Sequence, residues 1–426
     1  MKALRTGLCV VFAFSVLAHG VVEVWSESVL EISAAILFVI WAIDFVREGE
    51  RKIQWSALNW PLLGLLGIGL AQLVFRMTAY SYLTGTELLR LTAYFILFFL
   101  AAQAFRERAD LTRLAWFLVL LCFGVSLIGI IQHFTSEGKI YWFRELTAGG
   151  DPFGPFVNRN HFAGFVELVL PVGLALLVFR GVRRDVYPMA GLLTIVPLGA
   201  LILSGSRGGI VSLAFEVGVL ALLARSRKGP EGPRIAAIAI VALAAVALIV
   251  WMGAGKAIER FSSMRGDVSL SRRATMFRGA AHIFLDHPIR GSGLGTLVAV
   301  YPRYETGYDG KVVDHAHNDY IEILAETGLA GGLCCAAFLW ILFRDARKAF
   351  EEEQGHFSRA LHAGAITAVS GLLLHSFVDF NLQIPSNALL FLLQAYLATS
   401  PPLPSGAPVK RHRKHEHAEA ESEMVG

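Results

Sequence analysis

Residues 114–131 read LAWFLVLLCFGVSLIGII, eighteen consecutive residues without a charged side chain. About 20 apolar residues in a helix cross the hydrocarbon core of a bilayer, and a stretch of this length without charges is typical of such a helix. The stretch therefore predicts a transmembrane helix, which we place over residues 112–132.

The composition extends this prediction to most of the chain. Of the 426 residues, 55% are hydrophobic and only 17% are charged, and the mean hydropathy is +0.55. A soluble chain of this length would be about a quarter charged. The pattern predicts an all-α polytopic membrane protein. The net charge of +4 is too small to indicate a nucleic-acid-binding protein.

Further apolar runs predict about twelve transmembrane helices. They lie near residues 6–24, 27–46, 57–75, 88–105, 112–132, 160–179, 187–204, 209–224, 235–253, 321–343, 360–379 and 385–399. The first run also fits a signal peptide, but a second span follows almost at once, which favours an uncleaved helix. Four cysteines, at positions 9, 122, 334 and 335, lie inside apolar runs without disulfide or zinc-ligand spacing.

Two long loops are predicted, over residues 133–159 and over residues 254–320 directly before the tenth span. Residues 1–400 then form a single transmembrane domain, and residues 401–426 form a basic tail that we expect to be disordered. With both termini in the cytoplasm, the cytoplasmic segments carry 23 Lys and Arg residues, and the outer segments other than the loop 254–320 carry 6. Because short basic loops stay on the cytoplasmic side, we expect an inner-membrane protein with both long loops on the extracytoplasmic side.

Few charged residues lie on the predicted outer side, so each one is informative. Arg207 stands in the short loop SGSRGG (residues 204–209). Arg273 and Arg278 stand in SRRATMFR (residues 271–278), which fits an amphipathic helix. His317 stands in DHAHNDY (residues 314–320), directly before the tenth span. Between these last two segments, Gly291, Gly293 and Gly295 predict a tight turn rather than a phosphate-binding loop, because no strand precedes them.

Several arginines beside one histidine indicate an anionic substrate and a proton transfer. The planar guanidinium group binds phosphate oxygens with two parallel hydrogen bonds, and histidine is the usual general base near neutral pH. An outer-leaflet substrate with a diphosphate is a lipid-linked sugar. We therefore expect Arg207 and Arg273 to bind the diphosphate and His317 to accept a proton from the attacking hydroxyl.

A metal site is the competing interpretation of this region. His315 and His317, flanked by Asp314 and Asp319, resemble a set of metal ligands. Two histidines two positions apart face the same side only on a strand, whereas this segment adjoins a helix. The pattern therefore favours a site without a metal, and we expect no cofactor.

These segments together resemble the O-antigen ligase and O-antigen polymerase superfamily. His317 and Asn318, followed after nine residues by GLAG (residues 328–331), resemble its signature His-[Asn/Ser/Gln]-x9-Gly-x-x-Gly. Three further segments resemble family elements: GPFVNRNH (residues 154–161), SRGG (residues 206–209) and DFNLQIP (residues 379–385). Arg273, followed by Phe277, resembles a long-loop Arg-x3-Trp element with Phe in place of Trp.

The resemblance implies transfer of a glycan from undecaprenyl diphosphate to an acceptor on the periplasmic side, without a metal and with inversion. By the same resemblance, His317 is the catalytic residue, and Arg207 and Arg273 bind the diphosphate. Further residues in the same segments are candidates for supporting roles. They are Arg278, His315, Asn318, Asn158 and Asp379.

The acceptor remains open at this point. Ligases in the superfamily use the lipid A core, which we take as the first expectation, polymerases use a second lipid-linked repeat, and related enzymes use protein hydroxyls. A non-enzymatic flippase for the same lipid-linked glycan is an alternative of another class. It requires charged residues along a path through the whole membrane, whereas here they gather on the outer side, with Glu216 as the main exception near the middle.

Overall fold

The computed structural model describes residues 1–49, 52–146, 150–225, 268–307 and 310–401. Thirteen α-helices occur in these ranges, and no β-strand does. The helices are α1 (Lys2–Leu17), α2 (Val24–Glu48), α3 (Asn59–Val74), α4 (Ser81–Ala104), α5 (Arg108–Thr135), α6 (Arg159–Val178), α7 (Tyr187–Ser204), α8 (Arg207–Arg225), α9 (Val268–Asp286), α10 (Leu297–Val300), α11 (Asp319–Glu352), α12 (His356–His375) and α13 (Pro385–Thr399).

The prediction of a polytopic all-α membrane protein is confirmed. Eight of the described helices, namely α2, α4, α5, α6, α7, α8, α11 and α12, are long and apolar enough to cross a membrane. Eleven of the twelve predicted spans coincide with a described helix. The predicted ninth span (235–253), the first part of the long loop (254–267) and residues 402–426 of the tail lie outside the described residues.

Helix α6 lies at the centre of the bundle. Over the most apolar stretch of α6, 94% of the residues are buried, whereas 17% are buried over the corresponding stretch of α2 at the periphery. Helix α6 packs against α5, α7, α8, α12 and α13. The surface of α6 is therefore covered almost entirely by neighbouring helices. The central position brings the polar first turn of α6 against the connection between α12 and α13, where the candidate site lies.

Helix α11 is longer than the predicted tenth span and is broken at Gly328, which has φ 64° and ψ −162°. This left-handed backbone is readily adopted by glycine. A Cβ atom on Gly328 would lie 2.4 Å from the carbonyl carbon of Ile289. Gly328 meets a loop, and a Cβ atom on Gly332 would meet Leu324 of the same helix.

Residues 288–297, here called the glycine loop, fill the break in α11. The backbone N–H of Leu329 donates to the carbonyl of Pro288 at 2.8 Å. The N–H groups of Gly295 and Leu297 both donate to the Glu326 carboxylate at 2.9 Å. Because protein acceptors already occupy these N–H groups, the glycine loop is a turn that ties the chain to α11, as predicted, and not a phosphate cradle.

Candidate active site

The Asp379 carboxylate, in the connection between α12 and α13, joins four segments of the chain. It is fully buried. Its Oδ1 atom accepts hydrogen bonds from His317 Nδ1 at 3.1 Å and from the Phe380 N–H at 3.0 Å. Its Oδ2 atom accepts from Asn160 Nδ2 at 2.5 Å and lies 3.6 Å from Arg273 Nη2. The carboxylate therefore contacts only donors.

This environment keeps Asp379 ionised. Burial alone would raise the pKa of its carboxyl group, because a low-dielectric surrounding disfavours charge. The hydrogen bond from His317 and the neighbouring His161 and Arg273 outweigh that effect and hold the pKa of Asp379 far below its usual range. The donors around Asp379 thus favour its ionised form.

His317 lies two residues before the first residue of α11, next to the N-cap residue Asn318, and has a positive φ of 50°. Asn318 is the N-cap residue of α11: its Oδ1 accepts the Ile321 N–H at 3.0 Å, and its Nδ2 donates to the Phe377 carbonyl at 2.9 Å. The N-cap therefore fixes the position of His317 relative to the start of α11. When Nδ1 of an imidazole donates to a carboxylate, the lone pair is on Nε2. The arrangement leaves Nε2 as the basic atom of His317.

Arg273 reaches Asp379 from α9, the amphipathic helix that the sequence predicts. One face of α9 packs on α11 through Met276, Ala280 and Ile283, all buried. Arg273 keeps 29% of its side chain exposed while it contacts the fully buried Asp379. Among the described residues, Arg278 is not part of this cluster, because its side chain is exposed on α9.

Arg207 is the first residue of α8, and its side chain is half-buried. The next residue, Gly208, packs on the imidazole of His375, the last residue of α12. His375 precedes Asp379 by four residues, and the Asp379 N–H donates to the His375 carbonyl at 3.1 Å. Close packing of α8 on the end of α12 thus places the backbone of Arg207 beside the segment that carries Asp379.

His315 is bound to a different carboxylate from His317. Its Nδ1 lies 2.6 Å from Glu322 Oε1, and Glu322 Oε2 accepts the Ala316 N–H at 2.7 Å. Burial would lower the pKa of the His315 imidazole, but the Glu322 carboxylate raises it to about 9. His315 is therefore an imidazolium at neutral pH, and a protonated imidazole is not a metal ligand.

Phe380 lies between three imidazole rings. His315 stacks on it with ring centroids 4.5 Å apart, while His317 and His161 each meet it at 4.7 Å in a T-shaped arrangement. A ring in contact with three imidazoles limits how each of them can rotate. Phe380 thereby helps to orient His317.

The candidate Asn158 is a helix cap rather than part of the cluster. It is the N-cap residue of α6, and its side chain accepts the Asn160 N–H at 2.9 Å. The cap sets the start of α6 and so directs Asn160 and His161 toward Asp379 and Phe380. Its contribution to the site is indirect.

Four residues of the cluster were not among the sequence candidates, namely Asn160, His161, Glu322 and Phe380. Asn160, His161 and Phe380 lie inside segments that the sequence singles out, so those motifs pointed to their neighbourhood. Glu322 carried a weaker signal, an ionisable residue near the start of a predicted span, where such a residue is costly without a partner.

Comparison with known proteins places the chain in context. A family model described as O-antigen ligase matches residues 192–336, a range that contains Arg207, Arg273 and His317. A relative is the teichuronic acid biosynthesis protein TuaE of Bacillus subtilis (strain 168). It is 25% identical over 400 residues, which cover 85% of this chain and 76% of TuaE.

The resemblance to the O-antigen ligase and O-antigen polymerase superfamily is confirmed. The likeness to O-antigen ligases supports a membrane-embedded glycan ligase or polymerase, with an activity of the glycosyltransferase type. The range matched by the family model ends at residue 336 and therefore does not include Asp379.

Proposed function

We propose that this protein transfers a glycan from undecaprenyl diphosphate to an acceptor hydroxyl on the periplasmic face, in the manner of an O-antigen ligase. The observation that carries the proposal is the contact of His317 Nδ1 and Arg273 with one buried carboxylate, Asp379. That contact puts a general base and a phosphate-binding cation side by side. In a transfer from a diphosphate, such a base takes the proton of the acceptor and such a cation stabilises the leaving diphosphate.

In the proposed step, His317 Nε2 takes the proton of the acceptor hydroxyl as its oxygen attacks the anomeric carbon of the donor sugar. The new carbon–oxygen bond forms while the bond from that carbon to the diphosphate oxygen breaks, and the diphosphate leaves with the electron pair. A single displacement inverts the anomeric configuration. Arg207 and Arg273 bind the diphosphate and stabilise its growing negative charge. The Asp379 carboxylate stabilises the imidazolium that forms on His317.

No metal ion is needed in this step. The two arginines supply the positive charge that a divalent cation would otherwise bring to the diphosphate. His315 does not act as a ligand in the proposal, because Glu322 holds it as an imidazolium. A chelator should therefore leave transfer unchanged.

The acceptor class is proposed as the lipid A core, the acceptor of ligases in the superfamily. The polymerase alternative, in which a second lipid-linked repeat is the acceptor, is supported by one observation. The relative TuaE is named for the biosynthesis of teichuronic acid, so a polysaccharide is what that protein helps to make. Purified protein, a defined lipid-linked glycan and a panel of acceptors decide between the two.

The mechanism is tested by measuring donor binding and turnover separately for folded variants in detergent. Arg273→Ala should weaken donor binding, and Arg207→Lys should impair turnover because lysine keeps the charge but loses the planar fork. His317→Ala should lower turnover by about 10²–10⁴-fold with donor binding nearly intact. Full turnover by folded His317→Ala protein contradicts the mechanism. A flippase would show donor translocation without a transfer product, and His317→Ala would not change it.

The proposed orientation puts the His317 end of α11 in the periplasm, in an inner membrane, with both chain termini in the cytoplasm. It rests on the excess of Lys and Arg in the short loops assigned to the cytoplasm. Single cysteines at Ser262 and Ser405, outside the described residues, test it. A membrane-impermeant thiol reagent applied to intact spheroplasts should label the first and not the second. Labelling of both, or of the second alone, contradicts this orientation.

A further inference from the structure

A second histidine–carboxylate pair lies buried beneath the candidate site. His375 Nδ1 is 2.9 Å from Glu167 Oε1 and 3.2 Å from Glu167 Oε2. The side chains are 1% and 0% exposed, respectively. The pair joins the last turn of α12 to the middle of α6, helices whose other contacts are mainly apolar. Ionisable groups at such depth are costly and are usually retained for a function.

The opposite edge of the His375 ring supports the first turn of α8. A Cβ atom on Gly208 would lie 2.4 Å from His375 Nε2 and 2.6 Å from His375 Cδ2. The next residue, Gly209, is equally confined, because its Cβ atom would lie 2.7 Å from Ala163 Cβ and 3.2 Å from Glu167 Oε1. Each of the two glycines thus lies against one member of the pair. Only residues without a side chain let α8 approach this closely.

Arg207 is directly bonded to Gly208, so the position of the His375 ring determines where the Arg207 backbone lies. The ring cannot move freely, since Glu167 holds its Nδ1 edge and Gly208 closes its Nε2 edge. Apolar packing alone would not restrict the rotation of a side chain at this point as a directional hydrogen bond does. A misplacement of 1 Å at a group that orients substrate lowers the rate by about 10²-fold.

We propose that His375 and Glu167 are positioning residues for Arg207, which set the first turn of α8 at the distance where the arginine binds the donor diphosphate. The inference rests on the proposed function in one respect, the assignment of the diphosphate to Arg207. It adds a buried pair to the residues on which donor binding depends.

The first test is Gly208→Ala, compared with Gly218→Ala as a matched control. Both changes add one methyl group to α8, but a Cβ atom on Gly218 would have open space around it. Gly208→Ala should weaken donor binding by about 10–100-fold, with the acceptor KM unchanged. Gly218→Ala should bind donor as the unmodified protein does. Wild-type donor affinity in folded Gly208→Ala protein overturns the proposal.

The second test combines Gly208→Ala with His375→Ala, which removes the ring that the new methyl group meets. If the ring is what confines Gly208, adding Gly208→Ala to His375→Ala protein should change donor affinity by less than about twofold. Equal losses in both backgrounds contradict the proposal.

Conservative replacement tests Glu167 and remains informative if the alanine variants at 208 and 375 do not fold. Glu167→Gln keeps an oxygen that accepts from His375 Nδ1, so it should retain donor affinity, whereas folded Glu167→Ala should lose about tenfold. Equal donor affinity in both variants overturns the proposal. Arg207→Ala distinguishes a failure of the proposed function from a failure of the proposed role of the His375–Glu167 pair. If it leaves donor binding intact, the proposed function of Arg207 fails; if it weakens binding while Gly208→Ala does not, only the role of the His375–Glu167 pair fails.

Discussion

Replacement of Asp379 by asparagine is the sharpest single perturbation of the candidate site. The change keeps the size and shape of the side chain but removes its charge and turns one oxygen into an NH2 donor. One carboxylate oxygen accepts from His317 Nδ1 and the Phe380 N–H, and the other accepts from Asn160 Nδ2 and faces Arg273. Whichever way the amide is oriented, its NH2 group must face donors.

The expected magnitude follows from these contacts. If the NH2 group faces His317, the imidazole must accept at Nδ1 and carry its proton on Nε2, so it cannot act as the base. Loss of a general base lowers a rate by about 10²–10⁴-fold. If the NH2 group faces Arg273 and Asn160, a hydrogen bond with a charged partner is lost, which costs about 1.5–3 kcal/mol. That energy corresponds to about 10–150-fold. We expect turnover to fall by about 10²–10³-fold.

The assay is turnover per folded protein in detergent, with a thermal melting curve for each variant, because breaking a buried charge pair also destabilises a fold. Asp319→Asn is the matched control. Asp319 is also buried, with 5% of its surface exposed, and accepts the Leu382 N–H at 3.2 Å, a bond that an amide oxygen also makes. The control should keep turnover within about threefold of the unmodified protein. Full turnover by folded Asp379→Asn protein, or an equal loss in both variants, refutes the assignment of Asp379 as the residue that orients His317.

Three further predictions follow from the same geometry. His315→Ala should lower turnover by less than about tenfold, well short of the loss in His317→Ala. A chelator should not affect turnover by the unmodified protein. Equal losses from the two substitutions, or activity that a chelator removes and added zinc restores, contradict this prediction. The pKa of His315 is raised to about 9. The stability that comes from its pair with Glu322 is therefore fully present below about pH 6.5 and is lost as the pH rises through 9. A melting temperature that falls over this range in the unmodified protein, but not in Glu322→Gln protein, confirms this prediction. Gly328→Ala should lower the melting temperature strongly, because its φ is 64° and its Cβ atom would lie 2.4 Å from the Ile289 carbonyl carbon; an unchanged melting curve contradicts the role of the helix break.

Much of the architecture was predictable because the requirement that produces it is local. A span in lipid must satisfy its own backbone hydrogen bonds, so an apolar run of sufficient length has to be a helix wherever it packs. The amphipathic helix α9 was predicted for a similar reason, from the spacing of Arg273, Phe277 and the apolar residues after them. The full length of α11 was not predicted, because its continuation to Glu352 passes through charged residues that do not resemble a transmembrane span.

The sequence by itself determined the class of protein, the helices of the bundle and the residue types of the site. It did so because hydropathy, charge and short motifs are properties of contiguous residues. Only the tertiary structure decided which side chains meet. Asp379 and Asn160 are 219 positions apart, and Glu167 and His375 are 208 apart, so no local pattern relates them. Close packing of α6, α8 and α12 brings these pairs together, because a buried polar group in a lipid-facing bundle must find its partner on another helix.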